Sequence, residues 1–493
     1  MDNYGFWSLL PPIVAIFLAL RTKQVYLSLT LGIWIGWLIV NNGNIFSGSF
    51  DTLNSFVTVF NDAGNTRTVI FTLLVGSLIA LIQRSGGVDG FISVVKNKLN
   101  NLEDKNNLKG NRKKIQLIAA LTGILIFVES NISILTVGTL YRPLFDKLKI
   151  PREKLAYLVD SSSAPSCIIF PFNAWGAYIM GLLILQGIEN PFAVLFKSIF
   201  FNFYPFLALI TVFYIILTSK DFGAMKKATK RANDEGKLLA DDAVPMISDE
   251  ITLLSAKPNV PNRSINMIIP IGMMVLLMPI MLTYTGWNSS DSSLSFFMQV
   301  FDAIGKGSGS TSVLTSVTCS IIVAMLMYRV QKIMGIKEMI DLSLKGMSGM
   351  VSLAILMVLA FAIGSLCKEL GTGLYVAEMT KSWLTPALVP AIVFAVSCFI
   401  AFSTGTSWGT FAIMISIAIP MAQSFDSNIY LVIGAALGGG VFGDHCSPIS
   451  DTTIISSMAS ASDHVDHVKT QLPYALVAGM VAFLMYLVLG FLG

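Results

Sequence analysis

Apolar stretches long enough to cross a bilayer recur from one end of this chain to the other, separated by segments that are short, polar or broken by proline and glycine. A spanning helix needs about 20 predominantly apolar residues. By that ruler the sequence predicts spans near 5–21, 24–41, 68–84, 115–140 and 194–218, then a second series near 264–285, 310–328, 348–366, 389–420 and 471–492. Between the two series, Lys220–Arg263 is too polar to enter lipid and reads as a solvated linker or a short surface helix. Two further apolar segments, Ala156–Gln186 and Asp444–Ala461, do not behave as simple spans. Each carries small hydroxyl residues before a proline, SSSAP and CSP, which removes a backbone donor and fixes a turn. They are expected to enter and leave on one side as re-entrant hairpins, which requires protein packing or a water-filled cavity around them.

Polar residues also interrupt two of the predicted spans. Phe127–Ser133 (FVESNIS) sets Glu129, Ser130 and Asn131 inside an apolar run, and Phe402–Gly409 (FSTGTSWG) sets Ser403, Thr404, Thr406 and Ser407 beside two glycines. Both read as points where a helix unwinds. There, freed carbonyls become oxygen ligands and new half-helix N-termini offer N–H groups to anions. The landmarks recur in the same order in both halves: Gly76–Gly87 with Gly364–Gly373, Phe127–Pro143 with Phe402–Pro420, Asp160–Pro165 with Asp444–Pro448, and Tyr204–Phe206 with Leu472–Tyr474. The predicted fold is therefore an all-α polytopic membrane protein. It consists of two inverted repeats, residues 1–218 and 264–493, joined by a cytoplasmic linker at 219–263. Each repeat would hold about five transmembrane helices and one re-entrant hairpin, with broken helices at the midplane. An outside N-terminus sends most Lys and Arg to the cytoplasm, the exception being Arg142–Lys154.

Composition agrees and narrows the function. With 54% hydrophobic residues, 13% charged and a mean hydropathy of +0.71, this is not an ordinary soluble chain. A net charge of +4 from dispersed Lys and Arg argues against nucleic-acid binding. The five cysteines have no CxxC or CxxH spacing and read as small packing residues. The start, MDNYGFW, lacks the basic region of a signal peptide, so the first apolar stretch is expected to remain as a span. No nucleotide motif and no nucleophile with a positioned base is present, so the expectation is a carrier without cofactors, driven by ion gradients, and not an enzyme.

The densest chemistry lies in Phe442–Ser457, FGDHCSPISDTTIISS. Polar groups at such depth face a cavity, an ion or one another. Asp451 and Asp444 are the first candidates to hold a hard cation such as Na+, with Asp160 and Glu129 next, because carboxylate, hydroxyl and carbonyl oxygens suit that ion. A carboxylate that takes either a cation or a proton, but not both, couples the two flows by competition. Ser447, Thr452, Thr404, Thr406, Ser407, Ser163, Asn131 and Asn173 are candidate coordinating groups, and His445 a candidate proton relay or pH sensor. Structural alternatives stand beside each. Asp444, Asp160 and Asp451 can cap helices, Asn131 and Asn173 can hold helices together, and His445 can cap the hairpin. Trp175 and Trp408 read as cavity walls or interface residues, His464 and His467 as members of a solvated loop, and Gly438–Gly440 as a close-packing stripe.

GDHCSPISDTTIISS, the downstream HVKTQLPYAL (His467–Leu476) and the N-terminal LLPPIVAIFLAL (Leu9–Leu20) resemble the NhaC-type sodium/proton antiporter family. The resemblance extends over nearly the whole chain. Asp444, His445, Ser447, Pro448, Asp451 and Thr452 match the family motif residue for residue, and the first half agrees more loosely. It implies Na+/H+ exchange across a bacterial cytoplasmic membrane and an ion-transporter superfamily fold in a homodimer surrounded by lipid. Some members exchange organic acids, as in lactate/malate-type exchange, so a small carboxylate or amino-acid substrate coupled to sodium or protons stays open as the alternative.

Overall fold

The computed structural model describes residues 4–22, 24–100, 108–127, 130–245, 256–258, 260–380 and 384–492. Among them the chain is helical almost throughout, with one isolated bridge between Pro245 and Asp463. The first half contains α1 (Leu10–Thr22), α2 (Val25–Val40), α3 (Ala63–Arg84), α4 (Leu108–Leu125), α5 (Ser130–Lys147), α6 (Arg152–Ile169), α7 (Ala174–Leu185) and α8 (Phe203–Thr218). The second contains α9 (Ile265–Gly286), α10 (Gly309–Val330), α11 (Val351–Glu369), α12 (Val389–Thr404), α13 (Ser407–Ser424), α14 (Ile429–Cys446), α15 (Asp451–Ser460) and α16 (His464–Leu492). Among the described residues, eight helices are long and apolar enough to cross a membrane, or nine with the bent pair α6–α7 counted as one span. This is a multi-pass membrane protein.

A ruler of about 20 apolar residues misses shorter amphipathic helices, whose apolar positions repeat with the helical period but never fill a span. Four of these are Ile45–Thr58, Gly87–Asn100, Phe296–Lys306 and Ile336–Gly349. Asn44 starts the first, its side chain accepting from the N–H groups of Phe46 and Ser47. The polar linker likewise contains a helix, Gly223–Asp234, which buries Met225, Ala228 and Ala232 on one face.

The turns and breaks fall where polar residues interrupt the apolar pattern, but their roles are exchanged relative to expectation. The predicted span 115–140 is two helices that fold back on each other. Arg112 Nε donates to the Leu148 carbonyl at 2.7 Å at the open end, Thr122 meets the Tyr141 hydroxyl at 2.9 Å, and Ser133 Oγ donates to the Gly123 carbonyl at 2.9 Å near the turn. The predicted span 389–420 also doubles back, as α12 and α13. Its open end is closed by Ser427 Oγ on the Pro386 carbonyl at 2.8 Å, and its turn is made by Gly405 with φ of +68°. Conversely, the expected hairpin over Ala156–Gln186 bends by only 44° at Phe170–Asn173, so α7 carries on from α6. A hairpin must bring two arms of similar length together, and in each half the long apolar stretch with a polar interruption near its middle supplies them.

Helix α14 packs between both arms of the second pair. Gly439 and Gly443 let it run against α12, where an added Cβ would stand 2.5 Å from the Phe394 carbonyl oxygen and 2.3 Å from the Phe402 amide nitrogen. Gly440 faces Phe411 on α13. The glycine stripe is thus a packing device, as expected.

Candidate functional site

A cavity of about 400 Å³ opens where the two turns and the two breaks converge. Ser130 and Asn131 reach it from the start of α5, Thr404–Thr406 from the α12–α13 turn, Trp175 from the α6–α7 break, and Asp444, Ile449, Asp451 and Thr452 from the α14–α15 break. Met350, Leu353 and Leu356 of the neighbouring α11 region and Tyr26 of α2 close the apolar side. No lysine or arginine lines it among the described residues, so its two carboxylates dominate the local field.

Local chemistry explains the break between α14 and α15. Pro448 supplies no N–H, and Ser447 turns its hydroxyl to the Phe402 carbonyl at 2.6 Å while accepting from the Ile449 amide at 3.3 Å. Asp444 is buried and accepts from Ser407 Oγ at 2.8 Å across the α13 interface and from Ser450 Oγ at 2.6 Å. Ser450 in turn meets Thr452 Oγ1 at 3.1 Å. Asp451 is reached from the cavity although protein surrounds it; its Oδ1 accepts from the Thr452 amide at 2.9 Å, and Asn131 stands beside it. The hairpin turn abuts this break so closely that a Cβ on Gly405 would meet the Ile449 carbonyl oxygen at 2.7 Å.

The other break is sealed. Asn173 caps α7 by accepting from the Gly176 amide at 3.1 Å, and both its Nδ2 hydrogens are used, toward the carbonyls of Cys167 at 2.7 Å and Phe127 at 2.9 Å. Asn173 therefore holds two interruptions together and does not face the cavity. Ser163, on α6, donates to Ser133 and to Val159, a helix-to-helix fastener away from the cavity. Thr404 returns its hydroxyl to the Ile400 carbonyl at 2.8 Å while lining the cavity. Trp175 and Trp408 meet at 5.2 Å in its wall, with the Trp408 carbonyl accepting from Tyr178 at 2.9 Å.

Asp160 does not line the cavity. It is buried against Gln471 and His467 of α16, so His467 lies in the packed interior instead of the solvated loop expected for it. The loop reading failed because the DHVDH run opens α16, and its second histidine falls on the helix face turned toward α6. His464 stays near the surface between Ser457 and the Pro448 carbonyl. His445 has both ring nitrogens engaged, by Ser161 at 2.9 Å and Tyr204 at 2.7 Å. Glu129 lies outside the described residues. Ser450, Ser161, Tyr204 and Gln471 were not singled out by sequence; only the hydroxyl density around Asp444 signals the first. Among the described residues no three His, Cys, Asp or Glu side chains gather as a metal cluster.

A larger cavity of about 560 Å³, lined by Arg112, Lys113, Lys149 and Lys154, sits at the open end of α4–α5. Three of these four cations are already used: Arg112 and Lys113 donate to carbonyls at the ends of α5 and α8, and Lys154 pairs with Asp221.

The profile of the family described as the Na+/H+ antiporter family matches residues 175–491, which is most of the chain and includes both cavity acids. The chain belongs to the Na+/H+ antiporter family. This family member is 32% identical to an uncharacterised protein of Haemophilus influenzae over 98% of its own length and 91% of the relative's. It is 27% identical to the malate-2H(+)/Na(+)-lactate antiporter of Bacillus subtilis, over 24% of its own length and 28% of that protein's. Its fold is similar to that of the Alcanivorax borkumensis YdaH transporter, with a TM-score of 0.54 at 13% identity, covering 90% of this chain and 89% of that one. It is a transporter and not an enzyme.

Proposed function

We propose that this antiporter exchanges Na+ for H+, binding the cation between Asp444 and Asp451 with oxygens from Thr452, Thr406 and Asn131. The observation that carries this reading is a cavity holding two carboxylates and hydroxyls with no described basic residue. Hard cations take such oxygen sets, and the small charge of Na+ suits carboxylates shared with hydroxyls and carbonyls. A proton arriving at the same carboxylates displaces the cation, and cation binding displaces the proton, which couples the flows. Support for two inverted repeats, residues 1–218 and 264–493, comes from their common order: a pair that doubles back, a pair interrupted by a break, then a long helix. In this reading the doubled-back pairs are the re-entrant hairpins, and their tips meet the breaks at the midplane.

An organic solute is the second reading, favoured by cavity size. About 400 Å³ lies within the range of small-molecule sites, and two indoles stand in its wall. The relative that exchanges malate and lactate keeps this reading in view. The lack of a described Arg or Lys in the lining weighs against a carboxylate substrate.

Proteoliposomes loaded with a pH-sensitive dye test the choice. Addition of Na+ to vesicles with an imposed proton gradient is expected to dissipate it, and Asp451→Asn to abolish that response while the protein stays folded. Full exchange by Asp451→Asn removes its role. Thermal stabilisation by a small carboxylate, with none by Na+, moves the assignment to the organic solute.

A further inference from the structure

Two buried carboxylates that face α6 and its flanks, Asp221 and Asp160, are treated very differently by their surroundings. Asp221 is saturated: Lys154 Nζ touches both its oxygens at 3.0 and 2.8 Å, Tyr474 donates at 3.2 Å and Thr229 at 2.7 Å. Asp160 is not. Its Oδ2 accepts from Gln471 Nε2 at 2.8 Å and lies 3.4 Å from His467 Nε2, while Oδ1 has no partner. His467 Nδ1 and Gln471 Oε1 are also without partners, although all three side chains are fully buried.

No described lysine or arginine pairs with Asp160, and the nearest on its own helix, Lys154, belongs to Asp221. The titratable groups facing the pair are His445 and Cys446 from α14 and Tyr204 from α8, with Tyr157 of α6 beside Tyr204 and with Asp444 and Asp451 within electrostatic range from the cavity side. On α16 itself, Asp466 and Lys469 lie toward the surface. An isolated negative charge in such a place is expensive, and orphaned buried donors and acceptors add to the cost. A single proton removes the net charge, either as imidazolium beside carboxylate or as a carboxylic acid beside neutral imidazole.

We propose that Asp160 and His467 form a proton-binding site, separate from the cation cavity, that carries part of the exchanged H+. The inference rests on the antiport reading. The pair takes one proton from water on one face of the membrane and returns it to water on the other, so no bond changes besides the N–H or O–H that holds it. Gln471 ties it to the cavity, because the same Nε2 that serves Asp160 also donates to the carbonyl of His445, the residue after Asp444. Loss of the proton reorients Gln471 and moves the backbone that carries a cation ligand.

The test measures H+ moved per Na+ in proteoliposomes, beside Na+/Na+ isotope exchange that needs no proton. In Asp160→Asn with His467→Gln, isotope exchange and Na+ affinity are expected to persist while H+ moved per Na+ falls by about one. An unchanged ratio overturns the proposal, as does lost Na+ affinity with the ratio retained. Should the double variant not fold, Asp160→Asn carries the same test, since its amide oxygen still accepts from Gln471 while the negative charge that holds the proton is gone. Absence of Na+/H+ exchange in the unmodified protein is a separate failure, of the antiport reading. The pair is then read from proton uptake by detergent-purified protein during a pH titration, where equal uptake by the unmodified protein and the variants overturns it.

Discussion

The two helix breaks are built from similar residues and do opposite things. At Phe170–Asn173 every polar group of Asn173 is consumed, by one amide and two carbonyls, and the break is a joint. At Ser447–Ser450 the hydroxyls of Ser447 and Ser450 are likewise spent on holding the backbone and Asp444, but Asp451 and Thr452 are left facing the cavity. Asp160 and Asp444 make the same contrast from matching positions in their half-sequences. One is buried beside a histidine of α16, the other held by two serines at the cavity edge. Equivalent landmarks in the two half-sequences thus carry different chemistry, a packed carboxylate in one and a cavity-edge carboxylate in the other.

The contrast is broken most severely by attacking what anchors α6. Lys154 and Asp221 are both buried and pin the start of α6 to the end of α8. Asp221→Asn leaves an uncompensated ammonium, and stability is expected to fall by about 3–5 kcal/mol, with the Lys154→Met/Asp221→Leu pair recovering most of it. Thermal unfolding in detergent measures both. Recovery of nothing would mean that the pair does more than balance charge.

Asp444→Ala comes next and separates the two equivalent acids by function. Removing a carboxylate that two serines hold in place is expected to lower Na+/H+ exchange about 100-fold, equivalent to ~2.8 kcal/mol, with little change in melting temperature. A variant that exchanges normally would make Asp444 a cap and leave Asp451 alone as cation ligand.

Asn173→Ala probes the sealed break. It removes a helix cap and two donors to buried carbonyls, so a loss of about 1–3 kcal/mol is expected, with Na+ affinity in the folded fraction unchanged. A shift in Na+ affinity without loss of stability would erase the contrast between the two breaks.

How far this contrast is legible in sequence follows from what each residue does. The interruptions announce themselves, because Glu129–Asn131, Thr404–Ser407 and Asp444–Thr452 are polar where lipid forbids it, and those described come together. Their geometry is hidden. Whether an interruption becomes a turn or a break depends on contacts such as Arg112 to Leu148 and Ser427 to Pro386, between residues 36 and 41 apart in sequence. Nothing local encodes such a contact. The same holds for Ser163, whose hydroxyl looks as available as that of Thr406 until its partner Ser133 is known. His467 was misjudged for a related reason: its charged neighbours Asp463 and Asp466 suggest solvent, while the helix it begins turns its side chain inward.

The smallest effect sharpens the comparison furthest, because it opposes two hydroxyls of equal chemistry. Thr406 faces the cavity from the α12–α13 turn; Ser163 donates to Ser133 and to its own helix. Interhelical hydrogen bonds in membranes are worth about 0.6 kcal/mol on average, so Ser163→Ala is expected to lower the melting temperature slightly and leave the half-saturating Na+ concentration alone. Thr406→Ala is expected to do the reverse, raising that concentration a few-fold, because one oxygen of a set is lost while Asp444 and Asp451 remain, at a cost of about 0.5–1.5 kcal/mol. The pair is read in one experiment, Na+ titration of exchange beside a melting curve. Equal shifts of Na+ dependence in both variants would mean that the cavity's polar lining extends to α6, and the boundary between packing and cargo-binding hydroxyls would have to be redrawn through Ser163.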